Sequence, residues 1–283
     1  MPDQNLLLLR SGSAVAEIRL DRGACISALR PAEAAQNVLL ENPEAAEAGL
    51  GDYDAAWIGG FDEICPTGAA ATVGARRLED HGVLWHEQWT LAALSTSSAE
   101  VECRPAGYPI HVRRQLELSP DSTLTTRHVI RNLSAERLPL IWGAHIGLPL
   151  GPDTIFDLGG DPLPDAWPPA PWPREGLPTG DHALHIFAAP PAGRIGVRSP
   201  GKPAIEIGFD PQELPWLHVW VSDGFLFGRR ALCIEPFSAA HDALDTCIAS
   251  GMAAWLPPAG EVSYRIAISL PGLTGHQHPL RTT

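Results

Sequence analysis

The stretch HVRRQLEL (111–118), closed by Ser119-Pro120-Asp121 and followed by TLTTRHVIRN (123–132), decides the architecture. Its first half sets His111, Arg113, Gln115 and Glu117 against Val112, Arg114, Leu116 and Leu118. Successive side chains of a strand point to opposite faces, so a period of two reads as a strand. Ser-Pro-Asp supplies turn chemistry, with proline presetting φ and the flanking side chains able to bond nearby backbone. The two halves are therefore predicted to form an antiparallel hairpin.

Outward from the hairpin the same signature recurs. AVAEIRL (14–20) puts Ala16, Ile18 and Leu20 on one face, and VSYRIAISL (262–270) does the same with Val262, Tyr264, Ile266, Ile268 and Leu270. PLIWGAHIGL (139–148), RIGVR (194–198), AIEIGF (204–209), WLHVWV (216–221) and RALCIEP (230–236) are further strand candidates. Helical periodicity is scarce: PAEAAQNVLLENPEAAEAGL (31–50) offers a short helix at most, interrupted by Pro43 and Gly49. Many short strands punctuated by Gly, Pro and Asp predict an all-β antiparallel sandwich or barrel with few short helices. Such folds often run to this length undivided, so residues 1–283 read as a single domain. The segment 159–180 is too rich in proline to pair in a sheet and reads as a surface loop, a lid or a binding loop.

Charge narrows the partners. There are 20 basic against 33 acidic residues, a formal net charge of −13, and Lys202 is the sole lysine. That balance repels nucleic acid and anionic membrane and leaves a neutral or weakly charged small molecule as the expected partner. No run approaches the roughly 18 apolar residues of a membrane span. MPDQNLLLLRSGS lacks the basic start of a leader, so the chain reads as cytoplasmic. The five cysteines, Cys25, Cys65, Cys103, Cys233 and Cys247, form no C-x-x-C pair and read as reduced, mostly buried small hydrophobes.

Nucleophile-elbow, P-loop, dinucleotide and zincin motifs are all missing. His276 and His278 alternate in the tail, but the tail reads as a tail and no metal is expected. Carboxylate and imidazole chemistry remains. Three segments in order carry a resemblance: DHGVLW (80–85) with Trp89, the run 107–148 ending in a strand with His145, and the run 214–269 with Glu235 in CIEPFSAAHDAL (233–244). Together with GACISAL (23–29) they resemble the aldose 1-epimerase, or galactose mutarotase-like, superfamily over most of the chain.

The resemblance implies a large antiparallel supersandwich, a free monosaccharide as ligand and no cofactor. It also implies catalysis by Glu235 and His145, with His81 binding the sugar. Interconverting anomers requires removing the proton of the anomeric hydroxyl and protonating the ring oxygen, so that the ring opens and recloses. A partly buried carboxylate can be the base and a histidine the acid, which suits Glu235 and His145. GGFDEICPTG (59–68) departs from the family pattern: Gly68 and Ala69 stand where an arginine often follows, and Asp62 and Glu63 offer carboxylates to sugar hydroxyls instead. Asp210 is the candidate for the aspartate that galactose mutarotases use. Trp167 and Trp172 either stack on a pyranose or staple their loop, whereas Trp142 and Trp220 read as core. The rival readings are a non-catalytic sugar-binding protein of this fold, a hexose-phosphate mutarotase drawing on Arg76, Arg77, Arg113 and Arg114, and a glycosidase pairing Asp62 or Glu63 with Glu235.

Overall fold

The 111–132 hairpin forms as its alternation predicts, with Leu118 opposite Leu124 and Ile110 opposite Asn132. The computed structural model describes residues 3–12, 14–32, 36–45, 53–160, 172 and 180–271. Its first ten strands are β1 Leu6–Ser11, β2 Ala14–Arg19, β3 Cys25–Pro31, β4 Phe61–Ile64, β5 Ala71–Val73, β6 Arg76–Leu78, β7 Thr90–Leu94, β8 Ser98–Cys103, β9 Ile110–Leu118 and β10 Thr123–Asn132. The rest are β11 Leu138–Leu140, β12 Gly143–Pro149, β13 Ile155–Asp157, β14 Asp181–Ala188, β15 Arg194–Arg198, β16 Ile205–Phe209, β17 Trp216–Asp223, β18 Arg230–Phe237, β19 Ala254–Leu256 and β20 Glu261–Ser269. Two short helices, α1 Tyr53–Ala56 and α2 Leu244–Ala249, complete the described elements.

Two eight-stranded sheets dominate. One runs β1-β2-β3-β4-β12-β18-β17-β14, the other β13-β15-β16-β20-β10-β9-β8-β7, and the neighbours pair antiparallel. Apolar residues of both, among them Leu9, Ile18 and Ile146 from the first and Val112, Ile130 and Ile266 from the second, meet in one core. Each such side chain contributes about 1.5–3 kcal/mol when fully removed from water. A second, smaller cluster of Leu40, Tyr53, Trp57, Trp85, Leu226 and Cys233 covers the outer face of the first sheet. Its central strands are thus buried on both sides, which hides their alternation: β4 and nearly all of β12 and β18 are buried without interruption.

A buried polar network ties the sheets together. Glu63 of β4 accepts from Arg114 Nε of β9 (2.7 Å) and Trp142 Nε1 (3.0 Å), and His128 Nδ1 of β10 lies 2.9 Å away. Arg114 also donates to the carbonyls of Gly23 and Ala24 and stacks on Trp89. Burial raises the carboxyl pKa of Glu63, but the Arg114 and His128 charges outweigh it and hold Glu63 well below the usual range.

Two expectations change. Residues 36–45 hold no helix, because the Asn37 side chain takes over the backbone there, accepting from Leu29 and Leu39 N–H and donating to the Ser27 carbonyl. PLIWGAHIGL divides into β11 and β12, which enter different sheets. Most of 159–180, Trp167 included, lies outside the described residues, as do His276 and His278. Trp172 packs edge-on against Phe156 at 5.6 Å. Among the described residues no helix is long and apolar enough to cross a membrane.

Candidate functional site

Pairing register builds the site. Across four neighbouring strands of the first sheet, His145 of β12 stands opposite Asp62 of β4, and His218 of β17 stands opposite Glu235 of β18. The pairings of Gly143 with Phe237 and Ile146 with Ile234 bring Glu235 alongside His145. Asp62, His145, Glu235 and His218 therefore form one row on the outer face, and their sequence neighbours turn into the core. Above the row opens a cleft of about 340 Å³, within the size range of small-molecule sites.

Within the row, His145 Nδ1 lies 3.0 Å from Asp62 Oδ1 and 2.9 Å from the Tyr53 hydroxyl, which itself donates to Asp62 Oδ2 at 2.9 Å. An ionised carboxylate only accepts, so Asp62 fixes the proton on Nδ1 and turns Nε2 to the cleft. There Nε2 stands 3.9 Å from Glu235 Oε1. Burial works against the His145 imidazolium, yet the Cys233 sulfur and the Asp62 carboxylate outweigh it and raise its pKa well above the ordinary value. Glu235 is 4% exposed. Burial pushes its pKa up to about 7; His145 pulls it down, and Asp242 and Asp62 add to the rise.

His81 reaches the cleft through an unusual backbone. His81 and Gly82 both have positive φ, +59° and +74°, and a Cβ on Gly82 would meet the Cys65 carbonyl at 2.0 Å, so only glycine fits there. The turn lays the imidazole flat on Tyr53, ring centroids 3.5 Å apart, and edge-on to His145 at 5.0 Å. Asp80 Oδ2 stands 3.2 Å from His81 Nδ1. Trp57, Trp220, Phe225 and Leu226 give the cleft apolar walls, and Asp54, Asp80 and Asp242 line it with Glu235. Among the described lining residues there is neither arginine nor lysine.

Solved structures share this architecture. An Escherichia coli K12 protein named as an inferred aldose 1-epimerase superposes with a TM-score of 0.71 at 22% identity, over 93% of this chain and 98% of that one. A galactose mutarotase related enzyme from Lactobacillus acidophilus gives 0.69 at 16%, over 95% and 98%. A galactose mutarotase-like protein from Lactobacillus casei gives 0.67 at 15%, over 93% and 99%. The fold is galactose mutarotase-like. No family model and no curated protein matches the sequence.

On this galactose mutarotase-like frame the residues singled out by sequence divide. Glu235, His145 and His81 line the cleft, and Asp62 sits behind them as the partner of His145. Glu63 does not reach the cleft: as the neighbour of Asp62 on a strand it faces the core, where Arg114 holds it. Asp210 is exposed in the β16–β17 connection, accepts from Gln212 N at 2.8 Å, and is not among the cleft residues. Arg114 is buried in the network, and none of Arg76, Arg77 and Arg113 lines the cleft. Trp220, read as core, is a cleft wall, whereas Trp142 is core.

His218 ends the row without facing ligand. It stacks on Phe237 at 4.1 Å, and its Nε2 lies 2.9 Å from the Ala239 carbonyl. Burial drives its pKa down to about 4, so it stays neutral. Tyr53, Asp242 and Cys233 are among the cleft residues that received no site reading from sequence. Cys233 was legible, because it precedes Glu235 by two on a strand and must share its face. Tyr53 and Asp242 arrive from a short helix and a loop, where no period marks them.

Proposed function

We propose that this protein is an aldose 1-epimerase-type isomerase that interconverts the anomers of a free, uncharged monosaccharide. Glu235 takes the proton of the anomeric hydroxyl while His145, doubly protonated, gives its Nε2 proton to the ring oxygen. The ring opens to the aldehyde, the C1–C2 bond rotates, and reclosure with the roles reversed yields the other anomer. Both reacting oxygens are bonded to one carbon, so an acid and a base must stand close together. The observation that carries the reading is the 3.9 Å approach of Glu235 Oε1 to a His145 Nε2 oriented by Asp62, at the floor of a sugar-sized cleft. His81 is the further polar contact for the sugar, and Trp57 and Trp220 offer faces to its C–H surface. A phosphorylated sugar fits poorly, since the described lining residues include no arginine or lysine to meet its charge.

Polarimetry on freshly dissolved aldoses tests this. Wild-type protein should speed the approach to rotational equilibrium, and Glu235→Gln and His145→Asn should each cost roughly 10²–10⁴-fold while calorimetry still detects sugar. Binding of an aldose with no acceleration by wild-type protein would leave a sugar-binding protein and end the enzyme reading.

A further inference from the structure

Acid–base ring opening needs a carboxylate and an imidazole; it has no use for a thiol. Yet Cys233 lines the cleft beside both, and the ligating atoms of His145, Cys233 and Glu235 all lie within 4.8 Å of one another. We propose that these three residues form a binding site for a borderline-soft divalent cation, zinc above all, at the floor of the cleft.

The donor set itself argues for this. Imidazole nitrogen, thiolate sulfur and carboxylate oxygen are the three protein donors of zinc, and the thiolate disfavours magnesium and calcium. With bonds of about 2.0–2.3 Å, donors on a tetrahedral ion stand roughly 3.3–3.8 Å apart. The His145–Glu235 distance of 3.9 Å is already close to that, and side-chain rotation closes the rest. Cys233 and Glu235 share one face of β18 and His145 comes from the adjacent β12, so a paired sheet presents all three donors.

A second observation is independent of the cluster. Asp62 holds His145 Nδ1 at 3.0 Å and is itself bonded by the Tyr53 hydroxyl. A carboxylate on the far nitrogen is the arrangement that fixes the tautomer and raises the basicity of a metal-bound histidine. The fourth position faces the cleft, as in zinc sites that keep one place open. Asp54, Asp80 and Asp242 line the same cleft and add a field that attracts a cation. Binding releases the Cys233 proton, and those of His145 and Glu235 where present, to solvent.

The site stands apart from the isomerase reading, because metal binding alone reads it out. The full chain, stripped with a chelator, is titrated with Co²⁺ as the spectroscopic stand-in and then with Zn²⁺. One equivalent of cobalt should produce a thiolate-to-cobalt charge-transfer band that zinc abolishes by displacement. Folded Cys233→Ser should lack the band, Cys103→Ser should keep it, and Asp62→Asn should weaken cobalt binding roughly 10–100-fold, as loss of such an outer partner does. Circular dichroism checks each variant's fold. If Cys233→Ser does not fold, His145→Asn takes its place, with loss of tight binding expected. A folded wild type without the band overturns the site, and so does a band that survives in folded Cys233→Ser or tight binding that survives in folded His145→Asn.

Discussion

At the scale of residues, the proposed chemistry rests on two groups, Glu235 as base and His145 as acid, whose surroundings move them towards each other's working range. Glu235 acts as base only when ionised, and its pKa near 7 means that activity falls as pH drops through about 7. His145 acts as acid only when protonated, and its raised pKa keeps that form past the ordinary imidazole value of about 6.5. The metal-free protein should therefore give a bell-shaped pH profile of kcat/KM, with an acid limb near 7 and an alkaline limb displaced upward. Asp242→Asn removes a carboxylate that raises Glu235, so it should move the acid limb to lower pH. Asp62→Asn tests the orienting partner: an amide can donate to Nδ1, stabilise the wrong tautomer and withdraw the charge that favours imidazolium. The expected signature is a turnover rate lowered by roughly 10²-fold or more with KM little changed, read from progress curves by polarimetry. The residues at the cleft were only half legible. His145 and Glu235 could be named from their sequence contexts, but Asp62 and Glu63 are adjacent acids on a four-residue strand buried on both faces, and nothing local says which faces ligand.

At the scale of elements, that ambiguity is resolved by what lies behind β4. Glu63 is drawn into the core by Arg114 of β9, and the alternation of the strand then obliges Asp62 to face His145. The buried ion pair thus acts as a register pin for the row beneath the cleft. Arg114→Met should leave Glu63 in the core with only His128 and Trp142 beside it and cost about 3–5 kcal/mol in urea denaturation. Adding Glu63→Gln should recover part of the loss, because the uncompensated charge is gone while Trp142 keeps an acceptor. A negligible effect of Arg114→Met would show that the pair does not hold the strand. Element recognition from sequence followed the same physics. β9 and β10 face solvent on one side and show a clean period of two, whereas β12 and β18, covered on both, read only as apolar runs. An alanine-rich composition favours helix in 31–50, but the Asn37 side chain bonds the backbone of 36–45 into a loop, a competition that composition does not reveal.

At the scale of the whole molecule, a net charge of −13 and a cleft lined by Asp54, Asp80, Asp242 and Glu235 act on the ligand together. The composition alone points away from anionic partners, and the fold concentrates that bias in the cleft. The apolar walls stay close to such a ligand and keep water from screening the lining charges fully, so discrimination is strongest at the cleft floor. A neutral aldose meets hydrogen-bonding groups and ring faces and suffers no charge repulsion. A sugar phosphate or a uronic acid brings one or two negative charges toward four carboxylates offset by histidine alone, with no arginine or lysine among the described lining residues. Each like-charge contact at partly shielded range costs on the order of 1 kcal/mol, so an anionic analogue should bind at least roughly tenfold more weakly than its parent hexose. Raising salt should narrow the gap, because screening weakens repulsion but leaves neutral binding nearly unchanged. Paired calorimetric titrations of glucose with glucose 6-phosphate and glucuronate, at low and high ionic strength, check both statements. Tighter binding of the phosphate, weakening as salt rises, would instead mean that a cationic pocket contacts it and that the hexose-phosphate reading is the correct one.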